Sequence, residues 1–216
     1  MSIDVVLADD HAIVRQGLSA VISQEQDIKI IAEASNGKEV VDIAKKHSAD
    51  IFIIDITMPI LNGLEASSQI MQINSRNKII VLSMHDNRAF IERALSLGIK
   101  GYVLKDSAAD EILQAIRAVY KDGYFLSNRI STFVIQDYID SRGHKIGEKR
   151  IISLTERERE ILQLIAEGYT NKEVAKLLKI CLKTAHAHRN NIMQKLGIHR
   201  QADLIRYALK EGITTI

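Results

Sequence analysis

The sequence holds one cysteine, Cys181, one proline, Pro59, and no tryptophan. A single cysteine excludes an intrachain disulfide and the disulfide-stapled scaffolds of secreted proteins. No apolar run approaches the roughly 20 residues needed to cross a bilayer. The chain opens on a strand-like stretch, Ile3 to Ala8, and lacks the basic segment and longer apolar core of a signal peptide. Internal repeats and low-complexity tracts are missing too. These absences point to a cytoplasmic protein with no membrane partner. What is present is ordinary for a globular chain: 46% hydrophobic and 26% charged residues in 216 positions, enough for one large domain or two small ones.

The formal net charge of +2 conceals an asymmetry. Residues 1–125 carry 13 Lys/Arg against 17 Asp/Glu, and residues 126–216 carry 16 against 10. Within 170–210 there are nine basic residues and two acidic ones. An acidic half followed by a basic half suggests that only the second meets a polyanion.

Residues 1–122 alternate short apolar runs with amphipathic stretches. Strands are predicted at 3–8, 28–34, 50–55, 78–83 and 100–104, rich in Val and Ile and apolar on both faces, as buried parallel strands are. Helices are predicted near 12–24, 37–47, 62–73, 87–97 and 108–121, the last with Ser107 and Asp110 as a capping signal. Five alternations imply a doubly wound α/β domain with a five-stranded parallel sheet. Residues 123–152 read as a linker containing a helix near 128–139. From 153 to 216 the pattern is helical: capping boxes at Thr155–Glu158 and Thr170–Glu173, then helices at 182–195 and 200–210, closed by Gly197 and Gly212. Four short helices make a small all-α module.

Asp9, Asp10, Asp55, Ser83 and Lys105 all fall at or just after predicted strand ends, where open α/β sheets bind ligands. Clustered carboxylates repel, and a hard divalent cation such as Mg²⁺ would offset that. A cation, a lysine and a hydroxyl around one carboxylate make a receptor for a phosphoryl group, with Asp55 as the nucleophile that forms an acyl phosphate. A phosphohydrolase built on an aspartate is the rival reading. Such enzymes often carry a second carboxylate two residues after the nucleophile, where this chain has Thr57.

The pair Asp9-Asp10, the segment Asp55-Ile56-Thr57-Met58-Pro59 with Gly63 after it, Ser83 and Lys105 together resemble a receiver domain. The resemblance implies metal binding by Asp10, Asp55 and the backbone carbonyl of Thr57, with Asp9 acting through water. It implies that Lys105 pairs with the phosphoryl oxygens, that Ser83 and Tyr102 are the switch residues, and that Thr57 and His85 flank the path of attacking water. Many receivers have proline after the lysine; this chain has Asp106.

Lys179, Lys183, Arg189 and Lys195 can neutralise DNA phosphates, and Thr184 can add a hydroxyl contact. A helix starting near Leu182 is short enough to lie in a major groove. Cys181, His186 and His188 do not make a zinc site, because the two histidines stand about 200° apart around a helix. Residues 153–216, with Leu154-Thr155, Glu158-Arg159-Glu160, Asn171 to Ala175, Lys183-Thr184, His188 and Lys195-Leu196, resemble the LuxR-type helix-turn-helix. The whole chain thus resembles a NarL/FixJ-type response regulator, not an enzyme beyond its own phosphorylation and dephosphorylation. The resemblance implies a histidine kinase as phosphoryl donor, double-stranded DNA as target, and a homodimer when phosphorylated or DNA-bound. It places His186, Ala187 and Asn190 toward the groove, and Leu204, Ile205, Ala208 and Leu209 on the dimer surface. Cys181 stands where the family has a serine N-cap, and Ala185 where it has valine. The helix is therefore expected to be less firmly seated than in relatives.

Overall fold

The computed structural model describes residues 2–84, 86, 88–141 and 154–214. His85, and the stretch 142–153 that includes part of the expected linker, lie outside the described residues. The chain divides into two units, residues 1–146 and 147–216.

The first unit runs β1 (Ile3–Ala8), α1 (Ala12–Ser23), β2 (Ile28–Ala34), α2 (Gly37–Lys46), β3 (Ile51–Asp55), α3 (Gly63–Ile73), β4 (Lys78–Ser83), α4 (Arg88–Ser96), β5 (Gly101–Leu104), α5 (Ala108–Tyr120), β6 (Phe125–Leu126) and α6 (Asn128–Ser141). The strands form one parallel sheet in the order β2-β1-β3-β4-β5-β6. Strand alternation sends Val6, Ala8, Phe52 and Ile54 to one face, under α2, α3, α4 and α6. It sends Val5, Leu7, Ile51 and Ile53 to the other, under α1 and α5. Inner strands covered on both faces need apolar residues at successive positions, hence the buried runs Val5–Ala8, Ile51–Ile54 and Ile79–Leu82.

The sheet has six strands, not the five expected. Phe125 pairs with Gly101 and Leu126 with Tyr102. Two residues are too few to display a strand period, and only the pairing defines them. The following helix α6 is not a free connector, because Ile130 is fully buried and Phe133 and Val134 pack on the same core. Part of the stretch read as linker is thus built into the first unit. Ser107 precedes α5 but makes no side-chain cap; its hydroxyl instead faces Glu111 at 3.0 Å.

In the second unit α7 (Glu156–Ala166), α8 (Asn171–Leu177), α9 (Leu182–Leu196) and α10 (Gln201–Lys210) enclose a core of Ile161, Leu162, Leu164, Ile165, Val174, Ala185, Ile192, Leu204 and Ala208. Both capping boxes form: Thr155 with Glu158, and Thr170 with Glu173. Each such cap satisfies backbone N–H groups that the first helical turn leaves open, worth ~1 kcal/mol. Gly197 ends α9 at φ 65°, a left-handed turn that glycine adopts without steric cost. No helix among the described residues is long and apolar enough to cross a membrane.

Candidate functional site

The carboxyl ends of β1, β3, β4 and β5 bring Asp9, Asp55, Ser83 and Lys105 to one rim. Asp9, Asp55 and Ser83 are fully buried. Lys105, with a side chain 3% exposed, places Nζ 2.7 Å from Asp9 Oδ2 and 2.8 Å from Asp55 Oδ2. Asp10 lies at the lip, with its side chain 30% exposed. The Thr57 backbone N–H donates to Asp55 Oδ1 at 3.2 Å, and its hydroxyl lies 3.4 Å from both carboxylate oxygens.

Gly63 makes this geometry possible. A Cβ there would stand 1.9 Å from the carbonyl oxygen of Asp55, so the loop from 55 to 63 can close only on glycine. The Gly63 N–H donates to Ile56 O, and Asn62 caps α3 through the Glu65 N–H. The same loop holds Ile60 at φ 71°, a strained conformation for a β-branched residue.

Burial pushes the Asp55 carboxyl above its ordinary range; Lys105 opposes the shift and Asp9 adds to it. Two buried carboxylates share one ammonium, and Asp10 adds a further negative charge. Acidic or imidazole ligand atoms of Asp9, Asp10, His11 and Asp55 lie within 4.8 Å of one another. This surplus of oxygen donors and negative charge fits a hard divalent cation. His11 was not singled out from the sequence. Its Nδ1 lies 2.8 Å from Asp10 Oδ1 and 3.2 Å from Asp9 Oδ1, and its position directly after the acidic pair was the available signal.

The Tyr102 ring is buried, 1% exposed, and its hydroxyl is hydrogen-bonded to the Ser83 side chain. Burial pushes the phenol up to about 12, against the opposing effect of that bond. Tyr102 is also tied to the neighbouring strand, since its carbonyl accepts from the Ser127 N–H at 2.9 Å. Arg129, at the start of α6, reaches Asp86 and Asp106, which follow β4 and β5.

In the second unit the residues singled out for DNA separate into two groups. Lys179, Lys183, His186, Ala187 and Asn190 are exposed, with Thr184 and Arg189 partly so. Lys195 is exposed as well, but its ammonium lies 2.7 Å from Glu158, itself buried. Arg189 donates to Gln201 at 3.1 Å, and Asn171 Nδ2 stands 3.0 Å from His186 Nδ1. Cys181 makes no cap bond to the backbone; its sulfur faces the Thr184 hydroxyl at 2.9 Å. Ala185 is buried, so the small side chain occupies a core position.

The dimer surface expected on α10 needs correction. Leu204 and Ala208 are fully buried in the unit's own core, because their i, i+4 stripe is the face α10 turns toward α7. Only Leu209 and, in part, Ile205 reach the surface.

Residues 5–117 match the model of the response regulator receiver domain, and residues 152–208 that of the luxR family of bacterial regulatory proteins. This chain is a two-component response regulator with a LuxR-type DNA-binding domain, of the NarL/FixJ type. It is similar to the oxygen regulatory protein NreC of Staphylococcus carnosus (strain TM300), 35% identical over 97% of this chain and 98% of the other. Among solved structures it is similar to RcsB of Salmonella enterica serovar Typhimurium bound to a promoter in the presence of the phosphomimetic BeF3-. That match has 30% identity and a TM-score of 0.61, covering 96% of this chain and 98% of that one. A structure of two RcsB dimers bound to two parallel DNAs matches with 28% identity and a TM-score of 0.59, over 96% and 98% of the two chains. The regulator thus combines a receiver site that could hold a metal ion with a basic helical module.

Proposed function

We propose that this regulator is phosphorylated on Asp55 by a partner histidine kinase, with Mg²⁺ bound by Asp10, Asp55 and the Thr57 carbonyl, and that phosphorylation controls dimerisation and DNA binding. The observation that carries it is the meeting of Asp9, Asp55 and Lys105 in one buried cluster. Asp55 Oδ forms a bond to phosphorus as the P–N bond of the donor phosphohistidine breaks, and the electron pair returns to the imidazole. Lys105 then turns from the Asp55 carboxylate to the phosphoryl oxygens. Bound Mg²⁺ would supply charge neutralisation for those oxygens. Asp9, which holds Lys105 from the other side, orients the ammonium.

Ser83 and Tyr102 carry the signal. A Ser83 hydroxyl drawn toward the phosphoryl group gives up its bond to Tyr102, and the face formed by α4 and β5 changes with it. The receiver itself turns over no external substrate. In the second unit α9 enters the major groove, with His186, Ala187 and Asn190 toward base edges and Lys179, Lys183, Thr184 and Arg189 on phosphates. The protein works in the cytoplasm, as a homodimer on paired half-sites. DNA-bound and dimeric forms of RcsB support this reading.

Duplex affinity and oligomer size, measured with and without BeF3- plus Mg²⁺, test the proposal. Tighter DNA binding and a dimer with the mimic are expected. Equal binding by phosphorylated wild type and Asp55→Ala protein contradicts it.

A further inference from the structure

We propose that Asn171 is a positioning residue for base reading: its amide holds His186 in the tautomer protonated on Nε2, so that His186 selects guanine at one position of the site. This rests on the reading of α9 as the groove helix.

The amide nitrogen of Asn171 lies 3.0 Å from His186 Nδ1. An amide NH₂ has only protons to offer, so Nδ1 must accept. A neutral imidazole that accepts at Nδ1 carries its proton at Nε2. The ring's one acceptor is then used inside the protein, and the atom left for a ligand is a donor.

The surroundings set the backbone position of both partners. Asn171 is the first residue of α8, and the turn before it is locked by the Thr170–Glu173 capping box. That box uses the Thr170 hydroxyl and the Glu173 carboxylate, so the Asn171 side chain is not needed for capping. On α9 the preceding residue, Ala185, is 1% exposed and anchors that turn in the core. The next, Ala187, is exposed and small, leaving space beside the imidazole. Asn190 follows His186 at i+4 on the same face.

A single outward donor discriminates among bases. In the major groove guanine offers two acceptors, N7 and O6, and no donor. Cytosine offers a donor, adenine sets a donor beside its acceptor, and thymine offers the single acceptor O4 beside its methyl group, so guanine alone sets two acceptors within reach of one donor. Guanine is therefore the base that a His186 held by Asn171 prefers. Without Asn171 the ring can adopt either tautomer, and the preference should fall about five- to tenfold.

Two measurements on the full-length protein decide the matter. Ring ¹⁵N spectra at about pH 8, where an ordinary histidine is neutral, should show His186 protonated at Nε2 in wild type and a mixture in Asn171→Ala. They should show protonation at Nδ1 in Asn171→Asp, because a carboxylate can only accept. Selection from randomised duplexes should give a guanine position in wild type whose preference is lost in both His186→Ala and Asn171→Ala. In Asn171→Asp it should shift toward adenine or cytosine. A wild-type ring protonated at Nδ1 overturns the proposal, as does an Asn171→Ala protein that keeps the wild-type base preference. Uniform weakening on every sequence overturns it too, since His186 would then be meeting phosphate. If wild type selects no sequence at all, the reading of α9 fails, while the spectra still report separately whether Asn171 holds the tautomer.

Discussion

Lys195 Nζ lies 2.7 Å from Glu158 Oε1, tying the last turn of α9 to the first turn of α7. Glu158 is also the capping-box residue of α7, accepting from the Thr155 N–H at 2.8 Å. One carboxylate thus serves a helix start and an interhelical ion pair, and Lys195 acts within the fold. Lys195→Ala should lower the stability of the DNA-binding unit by about 1–2 kcal/mol and change the salt dependence of DNA binding little. Lys183→Ala should do the reverse, reducing the salt slope by about one with little change in stability. Thermal unfolding and affinity titrations over a salt series separate the two.

The same pair sets an acid limit. Burial would raise the Glu158 carboxyl, but the bonds from Lys195 and Thr155 outweigh it and hold it below its ordinary 4.5. A carboxyl lowered in the folded state contributes stability above its unfolded value and loses it as pH falls through the folded value. Wild type should therefore lose stability below about pH 4.5 more steeply than Glu158→Gln, as followed by helical circular dichroism.

Asp55→Asn should stabilise the metal-free receiver. It removes one of two buried carboxylates and leaves Lys105 paired with Asp9. Added Mg²⁺ should raise the Tm of wild type more than that of Asp55→Asn, because a ligand stabilises only the form that binds it. Calorimetry with and without Mg²⁺ checks both parts. A larger Mg²⁺ response in the variant would remove Asp55 from the metal site.

Cys181→Ser should supply the side-chain acceptor that the N-terminus of α9 lacks. A stabilisation of about 1 kcal/mol is expected, read from the Tm of the DNA-binding unit's transition. No gain would mean that the sulfur, facing Thr184, already serves that turn.

Leu204→Ala should cost about 2–5 kcal/mol, as a fully buried core truncation does. Leu209→Ala, at a residue 37% exposed, should cost little stability. If α10 contributes to a dimer, only the second change should weaken self-association, as read by sedimentation.

The acidic pocket was legible in the sequence because strand ends of a parallel sheet share one rim, so Asp9, Asp55, Ser83 and Lys105 could be brought together from strand positions alone. The strand β6 was not, since two residues have no period and are defined by their pairing to Gly101 and Tyr102. The ion pair of Lys195 is not legible in the sequence, because its partner, Glu158, lies 37 residues upstream and spacing within α9 carries no sign of it. The α10 stripe of Leu204 and Ala208 was ambiguous in principle. An amphipathic face looks the same whether it is buried by its own domain or by a second copy, and packing against α7 resolves it. His11 follows the acidic pair directly, but its approach to both aspartates shows only once the loop folds it back onto them.

The most direct test of the account is phosphoryl transfer to the folded chain. With acetyl phosphate and Mg²⁺, wild type should gain a single acid-stable, base-labile phosphoryl group that maps to Asp55, and Asp55→Asn should gain none. A correctly folded wild type that stays unlabelled, or equal labelling of Asp55→Asn, would contradict it.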